Sequence, residues 1–250
     1  MSTIKNGLNI CFMISTIQML MSREDIIDSF SKVAYRYIKE IYEKGGVIII
    51  STFIFYYRTL HREYITGTQQ DARESLAFIL DDATNKELFE IKYKQRITRS
   101  NETLENEMSE NMISVVIRES LQKSIDSFFT TEEASTYDEN GETMETPKIE
   151  FFPINNPKYL FVSLKRFDPI TFEKNSTEVD IDEVINYNGN SYKCISFIIH
   201  IGTVIAGHYI EFTNRGKWVM YDDESFNENV TDEEADRLQR IGYIYLFEKQ

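Results

Sequence analysis

Apolar residues recur at helical spacing in the first third of the chain. Over residues 26–41 they are three or four positions apart, which predicts one helix that ends at Gly45-Gly46. A second helix is predicted over residues 72–80, with Thr68 as its N-cap and an end near Thr84. We therefore expect this part of the chain to form a helical layer.

Two longer apolar runs cover residues 8–20 and 47–57. Polar side chains interrupt the first run and no small-residue cleavage site follows it, so it does not fit a secretory signal. The second run has 11 residues, whereas a membrane helix needs about 20. We expect both runs to lie in the protein core and predict no contact with a membrane.

The pattern changes after about residue 92. Residues 92–146 are polar, with turn signals at residues 99–102 and at Asn140-Gly141, and with a short strand and a helix predicted within residues 113–129. The β-branched and aromatic runs that follow cover residues 159–167, 191–201, 208–213, 217–221 and 243–247. Short links between them favour antiparallel pairing. Helices followed by such a sheet predict an α+β fold with a cleft between the two layers.

The composition fits a globular intracellular domain. The 250 residues are 42% hydrophobic and include four prolines, which is too apolar for a disordered chain. The net charge of −14 disfavours nucleic acid and favours a neutral or basic partner. Two cysteines allow neither a disulfide framework nor a four-cysteine zinc site, which favours a reducing location in the cytoplasm or nucleus.

The chain has few candidates for a cysteine nucleophile and its base. Cys11 begins an apolar helical run, where the positive end of the helix dipole favours a thiolate. Cys194 lies within a predicted strand and is expected to be a small buried hydrophobic residue. The possible bases are His61, His200 and His208.

His208 stands at the start of a predicted strand, after a stretch bounded by glycines, so another chain can approach its imidazole. Asp222 and Asp223 follow the next strand, and a carboxylate there can orient the His208 ring. A lone cysteine is more often structural, and paired aspartates after a strand more often form a turn. The spacing permits a Cys-His-Asp site without proving it.

Five segments of the chain also have a distinctive form and order. They are NGLNICFMISTIQML at residues 6–20, GTQQDARESLAFILDDA at residues 67–83, YLFVSLKRFD at residues 159–168, HIGTVIAGHYIEFTNRGKWVMYDD at residues 200–223 and GYIYLFEK at residues 242–249. In this order they resemble the cysteine box, the Q-Q-D-x-x-E segment, the L-K-R-F strand, the histidine box and the closing strand of the ubiquitin-specific proteases. The resemblance spans almost the whole chain and implies the papain-like fold of these enzymes.

The resemblance implies a role for each catalytic position. Cys11 corresponds to the nucleophile, His208 to the general base and Asp222 to the residue that orients the base. Asn6 corresponds to the asparagine that donates hydrogen bonds to the oxyanion, and Asp223 to a supporting polar group.

The resemblance also implies a substrate cleft. Gln70, Asp71 and Glu74 correspond to the segment that holds the arginine-bearing tail of ubiquitin, although both acidic residues equally fit the first turn of a helix. The other positions that it places along the cleft are Phe167, His200, Gly202, Gly207 and Tyr209. His200 and His61 are expected to be structural rather than catalytic.

Two departures from the family concern the oxyanion loop and the metal. Leu8, Ile10 and Ile14 stand where the family has glycine, threonine and asparagine, which is expected to reshape this loop. The family's fingers often carry two Cys-x-x-Cys zinc knuckles, whereas residues 92–150 contain no cysteine. We predict no metal and no cofactor for this chain.

The domain organisation implied is one catalytic domain, with a helical thumb over residues 1–91, reduced fingers over residues 92–150 and a β palm over residues 151–250. The predicted function is hydrolysis of the bond after the C-terminal glycine of ubiquitin by a monomeric thiol isopeptidase. Its partners would be ubiquitin and ubiquitinated proteins. Two alternatives remain open, namely a ubiquitin-binding module without catalysis and a protease for another modifier that ends in Gly-Gly.

Overall fold

The structure is a computed structural model that describes residues 2–7, 9–30, 33–62, 68–99, 102–130, 132–133, 136–137, 143–144 and 147–250. Its α-helices are α1 (Cys11–Leu20), α2 (Glu24–Asp28), α3 (Val33–Lys44), α4 (Ser51–Leu60), α5 (Ala72–Asp81), α6 (Leu121–Phe128) and α7 (Asp232–Gln239). Its strands are β1 (Ser2–Ile4), β2 (Gly46–Ile48), β3 (Ile91–Arg99), β4 (Glu102–Glu110), β5 (Ile113–Val115), β6 (Glu132–Glu133), β7 (Thr136–Tyr137), β8 (Thr143–Met144), β9 (Lys148–Pro153), β10 (Tyr159–Leu164), β11 (Val184–Tyr187), β12 (Asn190–Gly202), β13 (Gly207–Asn214), β14 (Trp218–Asp222), β15 (Ser225–Asn227) and β16 (Gly242–Lys249).

The central element is a sheet with the strand order β15-β14-β13-β12-β16-β10-β5, in which β11 also pairs with β12. The five strand runs expected from the sequence form β10, β12, β13, β14 and β16, and β13 and β14 are antiparallel neighbours. One pair departs from the expected antiparallel pattern, because β5 lies parallel to β10. Helices before the sheet and antiparallel strands within it confirm the predicted α+β class.

Each face of the central sheet packs in a separate core. Side chains alternate between the two faces of a strand, so neighbours such as Phe197 and Ile198 point in opposite directions. Ile198 and Tyr209 belong to the core beneath the helical layer. Phe197 and Phe212 belong to the other core, which α6 and α7 cover. The sheet is therefore buried on both sides, with α1 packed on β13.

The prediction of one continuous helix over residues 26–41 is wrong, because the chain forms the two helices α2 and α3. The backbone carbonyl of Ser29 accepts hydrogen bonds from the N–H groups of Thr84 and Asn85, at 2.9 and 3.3 Å, rather than from a helical partner. The buried face of α3 also differs from the predicted one, because Tyr37 is exposed and Tyr35 is buried. The apolar residues keep their helical spacing from α2 into α3, so the sequence pattern does not reveal the break between the two helices.

The second predicted helix is present as α5, but its N-cap is Asp71 and not Thr68. The Asp71 side chain accepts a hydrogen bond from the backbone N–H of Arg73 at 2.7 Å, which satisfies one free donor of the first turn. The helix ends at Asp81, close to the predicted end near Thr84.

Of the two apolar runs, the first lies in the core from Ile10 onwards, whereas Asn9 is exposed. Every residue of α1 is buried. The second run divides into β2 and the amphipathic helix α4, so Phe53 and Tyr57 are buried while Val47, Ile49 and Phe55 are exposed. No helix within the described ranges is long and apolar enough to cross a membrane.

The polar part of the chain forms a smaller sheet with the order β4-β3-β9-β6 and a short β7–β8 pair. The strand and helix predicted within residues 113–129 are β5 and α6. Residues 100–101 of the first predicted turn and the Asn140-Gly141 turn lie outside the described residues. The β3–β4 hairpin extends away from the cores, since almost every residue of β4 is exposed.

Candidate active site

Three elements bring Cys11, His208 and Asp222 together. Cys11 is the first residue of α1, His208 lies at the start of β13 and Asp222 is the last residue of β14. The Nε2 atom of His208 lies 2.6 Å from Oδ1 of Asp222. The ring also forms a side-chain hydrogen bond with Cys11, for which Nδ1 is the remaining nitrogen. The imidazole therefore links the thiol to the carboxylate.

These contacts change the acidity of the imidazole. The hydrogen bond with Cys11 raises the pKa of His208 to about 9, with a further contribution from Asp222, although partial burial opposes both. The ring is therefore protonated at neutral pH and can stabilise a thiolate beside it. Cys11 is only 2% exposed, whereas 35% of the His208 side chain is exposed, so the imidazole is the more accessible of the two groups.

Asn6 lies next to this group through the N-terminal strand. Ile4 in β1 donates its N–H to the backbone carbonyl of Asp223 at 3.3 Å, which places the following segment beside the end of β14. Asn6 Nδ2 then donates to Asp223 Oδ2 at 2.8 Å, and Asn6 Oδ1 accepts from the Ile10 N–H at 3.2 Å. Burial raises the pKa of the Asp223 carboxyl, and the bond from Asn6 opposes that rise. The amide of Asn6 is thus oriented at the N-terminus of α1.

Ile10, the N-cap of α1, makes no side-chain cap hydrogen bond, and Cys11 follows it at the positive end of the helix dipole. Asn9 adopts a left-handed conformation with φ of 57° just before the helix. Ile10 and Ile14, which depart from the family pattern, are buried in the core. Leu8 lies outside the described residues.

The residues predicted to bind the substrate tail differ in whether their side chains already make hydrogen bonds within the protein. Tyr243 donates its hydroxyl to Asp71 at 2.7 Å from Oδ1 and 2.8 Å from Oδ2, so this carboxylate already holds α5 to the sheet. Glu74, in the first turn of the same helix, is exposed. Gln70 donates to the Thr68 hydroxyl at 2.9 Å. Glu74 is accordingly the more accessible carboxylate for a basic ligand.

The predicted aromatic residues of the cleft form one cluster. The Phe167 ring lies 5.2 Å from the His200 ring and 5.0 Å from the Tyr243 ring, and Tyr209 lies 4.6 Å from His200. His200 and Tyr209 are buried, and burial lowers the pKa of His200 to about 4, so its ring is neutral. His61 stacks on Phe78 within the helical layer, at a distance of 4.3 Å. Both histidines occupy structural positions.

Gly202 and Gly207 face each other at the ends of β12 and β13. A Cβ atom on Gly207 would lie 2.0 Å from Nε2 of His200, and one on Gly202 would lie 2.5 Å from the Ala206 carbonyl oxygen. Gly202 also has a φ of 108°, which favours glycine. Both positions therefore require glycine for this loop beside His208.

Sequence reasoning missed Gln69. Its side-chain Nε2 donates to the Gly207 carbonyl at 2.6 Å, and its Oε1 accepts from the Gly207 N–H at 2.8 Å. The signal was present, since Gln69 belongs to the Q-Q-D segment beside Gln70. What the sequence did not show is its partner, 138 positions away.

Two places in the chain bear on metal binding. His208, Asp222 and Asp223 offer ligand atoms within 4.8 Å of one another, and the hydrogen bonds above account for this arrangement. A zinc site of the family's kind needs cysteines in the smaller sheet, whereas Cys11 lies in α1 and Cys194 in β12. The residues present do not fit such a zinc ion.

A thiol, an imidazole and a carboxylate that meet at a helix N-terminus are the groups that a cysteine-type hydrolase uses. The family model described as ubiquitin carboxyl-terminal hydrolase matches residues 3–247, so the chain belongs to this family of cysteine-type deubiquitinases. No curated protein sequence matches the chain.

Two solved structures share the fold. One is the SAGA DUB module Ubp8/Sgf11/Sus1/Sgf73, with a cysteine-to-alanine Ubp8, bound to monoubiquitin; it has a TM-score of 0.77 and 20% identity over 100% of this chain and 69% of that one. The other is the same module bound to ubiquitin aldehyde, with a TM-score of 0.79 and 20% identity over 100% of this chain and 70% of that one. The papain-like fold expected from the resemblance is confirmed.

Proposed function

We propose that Cys11, His208 and Asp222 hydrolyse the bond after the C-terminal glycine of ubiquitin by way of a thioester. The observation that carries this proposal is that one imidazole contacts both the thiol and the carboxylate. Ubiquitin is proposed as the ligand because the chain belongs to the hydrolase family named for it and because both structural neighbours are bound to it.

In the first step, the Cys11 thiolate attacks the carbonyl carbon of the terminal glycine. The raised pKa of His208 keeps the imidazole protonated, and the N-terminal end of α1 favours the negative charge on sulfur. Negative charge then develops on the carbonyl oxygen. The Asn6 amide and the positive end of the α1 dipole lie at this end of the helix and stabilise that charge.

In the second step, the bond to the lysine amine breaks and His208 donates its proton to the departing nitrogen. The ring, now neutral, accepts a proton from water, and the resulting hydroxide attacks the thioester carbon. Ubiquitin leaves with a free carboxylate and Cys11 is restored. Asp222 holds the ring in one orientation through both steps.

The substrate is proposed to approach between the helical layer and the central sheet. The exposed Glu74 carboxylate lies on the α5 side of this approach and suits a basic tail. A groove of about 530 Å³ lies farther along α5 and is lined by Arg73, Asp81, Glu110 and Lys165, among others. It offers charges of both signs for the globular part of the modifier. Residues 1–91, 92–150 and 151–250 act together here as one catalytic domain.

The test is release of a fluorogenic amine from the C-terminus of ubiquitin. The wild-type chain should release it, and Cys11→Ala should reduce release to background. Cys194→Ala is the matched control, because this second thiol is buried in β12 and burial raises its pKa to about 12. No release by the wild type, or full release by Cys11→Ala, contradicts the proposal.

Two further measurements decide between this function and its rivals. Saturable binding of ubiquitin, without labelling of Cys11 by a ubiquitin with an electrophilic C-terminus, would indicate a binding module. Faster release from another modifier that ends in Gly-Gly would change the substrate while retaining the chemistry.

A further inference from the structure

A groove of about 1020 Å³ lies against the first half of β12, and we call it the Trp218 groove. Its walls come from β12, from the turn between β13 and β14, and from α7. They include Lys193, Ile195, Arg215, Trp218, Asp236 and Gln239. The groove is remote from the catalytic residues, because His208 pairs with Ile201 in β12 and Ile195 is roughly 20 Å from Ile201 along the strand.

The groove lies where two strands share one edge of β12. On this edge, β11 pairs with residues 190–193 and β13 pairs with residues 196–202, while β16 runs along the opposite edge. Cys194 and Ile195 therefore pair with neither β11 nor β13. The register with β16 also shifts at this point, so Ile195 has no strand partner among the described residues. An unpaired stretch of strand is a place where an extended peptide can add to a sheet.

A buried amide in the wall of the groove is free to bind a peptide. Gln239 is 5% exposed, and within the described part of the chain only its backbone carbonyl is hydrogen-bonded, accepting from the Tyr245 hydroxyl at 2.7 Å. Gln122 shows how such an amide can act, since it pairs with the backbone of Asn186, accepting at 2.6 Å and donating at 3.0 Å. A buried amide without hydrogen bonds is costly, so a ligand that supplies both partners is favoured.

The side-chain charges that remain free in the groove are acidic. Asp232 and Asp236 are exposed on α7, and neither forms an ion pair within the described residues. The basic residues of the lining are already engaged, namely Arg23 with Glu248, Lys193 with Glu183, Arg240 with Asp180, and Arg215 with the Met21 carbonyl. The groove therefore suits a basic ligand, as does the net charge of −14.

We propose that the Trp218 groove binds an extended basic segment of a partner protein. Asp232, Asp236 and Gln239 are spaced by four and three positions, so they share one face of α7. The two carboxylates stand roughly 6 Å apart along the helix, which matches the roughly 6.8 Å between alternate side chains of an extended chain. Basic residues at alternate positions pair with the aspartates while the peptide backbone meets Gln239. This inference does not rest on the proposed function.

The first experiment measures the binding of a peptide in which lysine alternates with alanine. Titration calorimetry should show saturable binding that weakens as salt is added, because salt screens exposed charges. Trp218 is the only tryptophan of the chain, so a change in its fluorescence supports entry of the peptide into the groove. A peptide with glutamate in place of lysine should not bind. No binding of the lysine peptide, or equal binding of the glutamate peptide, overturns the proposal.

The acidic residues of α7 supply a variant and its matched control. Asp232→Asn combined with Asp236→Asn should weaken binding of the lysine peptide roughly three- to tenfold. Glu233→Gln combined with Glu234→Gln makes the same change of charge in the same helix, at positions outside the lining. This control should retain most of the affinity. Equal losses in both double variants would show attraction to net charge alone and would overturn the groove as the site.

Gln239→Leu tests the amide separately. The substitution removes no hydrogen bond of the free protein within its described part, so thermal unfolding should match that of the wild type. Binding of the lysine peptide should weaken roughly fivefold, because the peptide backbone loses its partner. Unchanged affinity in both Gln239→Leu and the aspartate double variant overturns the proposal.

Hydrolysis of the ubiquitin amide distinguishes this proposal from the proposed function. The lysine peptide at saturation should leave kcat and KM unchanged, because the groove is remote from His208. Competitive inhibition by the peptide would place it in the catalytic cleft, beside the exposed Glu74, and would overturn the groove. If the wild type does not cleave the amide, but the aspartate double variant binds the peptide more weakly than its control does, the proposed function fails and the groove stands.

Discussion

The hydroxyl of Tyr243 donates to the carboxylate of Asp71, so the closing strand β16 is tied to the residue that caps α5. The same carboxylate accepts the N–H of Arg73 at the start of the helix. One side chain assigned to the substrate tail by resemblance therefore also joins the helical layer to the sheet. Its loss would affect both functions at once.

Replacing Tyr243 with phenylalanine tests the structural part of this role. Tyr243→Phe removes the donor from a charged acceptor, and we expect the free energy of unfolding to fall by about 1.5–3 kcal/mol. The control is Tyr187→Phe, because the buried Tyr187 hydroxyl has no hydrogen-bond partner within the described part of the chain. Tyr187→Phe should leave the free energy of unfolding, measured by chemical denaturation, nearly unchanged. Equal losses in both variants would contradict the assignment.

Arg166 also connects separate parts of the fold. No carboxylate within the described residues pairs with it. The residue is 2% exposed, and its guanidinium donates to the backbone carbonyls of Gly242, Asn175, Thr177 and Arg240. Arg166→Lys cannot reproduce the planar set of donors, so we expect a loss of about 3 kcal/mol in the free energy of unfolding.

Arg96→Lys is the control for Arg166, because Arg96 pairs with Glu105 on the exposed β3–β4 hairpin. This exposed pair should contribute little, because solvent screens it. A larger effect at Arg96 than at Arg166, measured by denaturant titration, would show that the buried joint does not stabilise the fold.

Glu211 makes stability depend on pH. It is buried in β13, accepts hydrogen bonds from the hydroxyls of Ser196 and Thr213, and has its pKa raised to about 8 by burial. The folded protein keeps this proton up to about pH 8, whereas the unfolded chain releases it near 4.5. The unfolded state then binds fewer protons, so the free energy of unfolding falls as pH rises between these values.

Glu211→Gln should remove this part of the slope. The measurement is chemical denaturation of both proteins across pH 5 to about 8.5, and the contribution of His208 cancels in the difference. Glu107→Gln, at an exposed position of β4, is the control and should keep the wild-type slope. A wild-type slope in Glu211→Gln would contradict the raised pKa.

The pH profile of hydrolysis tests the link between His208 and Asp222. Since the pKa of His208 is raised to about 9, the rate should fall as pH rises through that value and the imidazolium is lost. Asp222→Asn removes one of the contacts that raise it, so this alkaline limb should move to lower pH and kcat should fall by about 10²- to 10⁴-fold. The control is Glu183→Gln, at an exposed acid that pairs with Lys193. It should change neither the position of the alkaline limb nor kcat.

The sequence predicts the elements of this fold better than their junctions. The position of Cys11 at the start of α1 and the antiparallel strands follow from local spacing, which hydrophobic periodicity records directly. The break between α2 and α3 and the parallel pairing of β5 do not, since they depend on partners far along the chain. The cap of α5 is a different case, because the bond from the Arg73 N–H to Asp71 is local, and Thr68 and Asp71 are both residue types that suit an N-cap.

The candidate site divides in the same way. The contact between His208 and Asp222 could be predicted because the two residues end and begin neighbouring strands of a hairpin. The role of Gln69 could not, because it depends on Gly207 across the cleft. Residue roles that the resemblance supplied remain predictions until the variants above are measured.

The distribution of the two thiols sets how oxidants act on this protein. Cys194 is buried with a pKa raised to about 12, and the smaller sheet contains no cysteine for an oxidant or a chelator to attack. We therefore expect peroxide to stop hydrolysis by oxidising Cys11, the proposed nucleophile. Recovery of the rate on adding a reductant would then report a reversible sulfenic acid in the cleft, and not refolding.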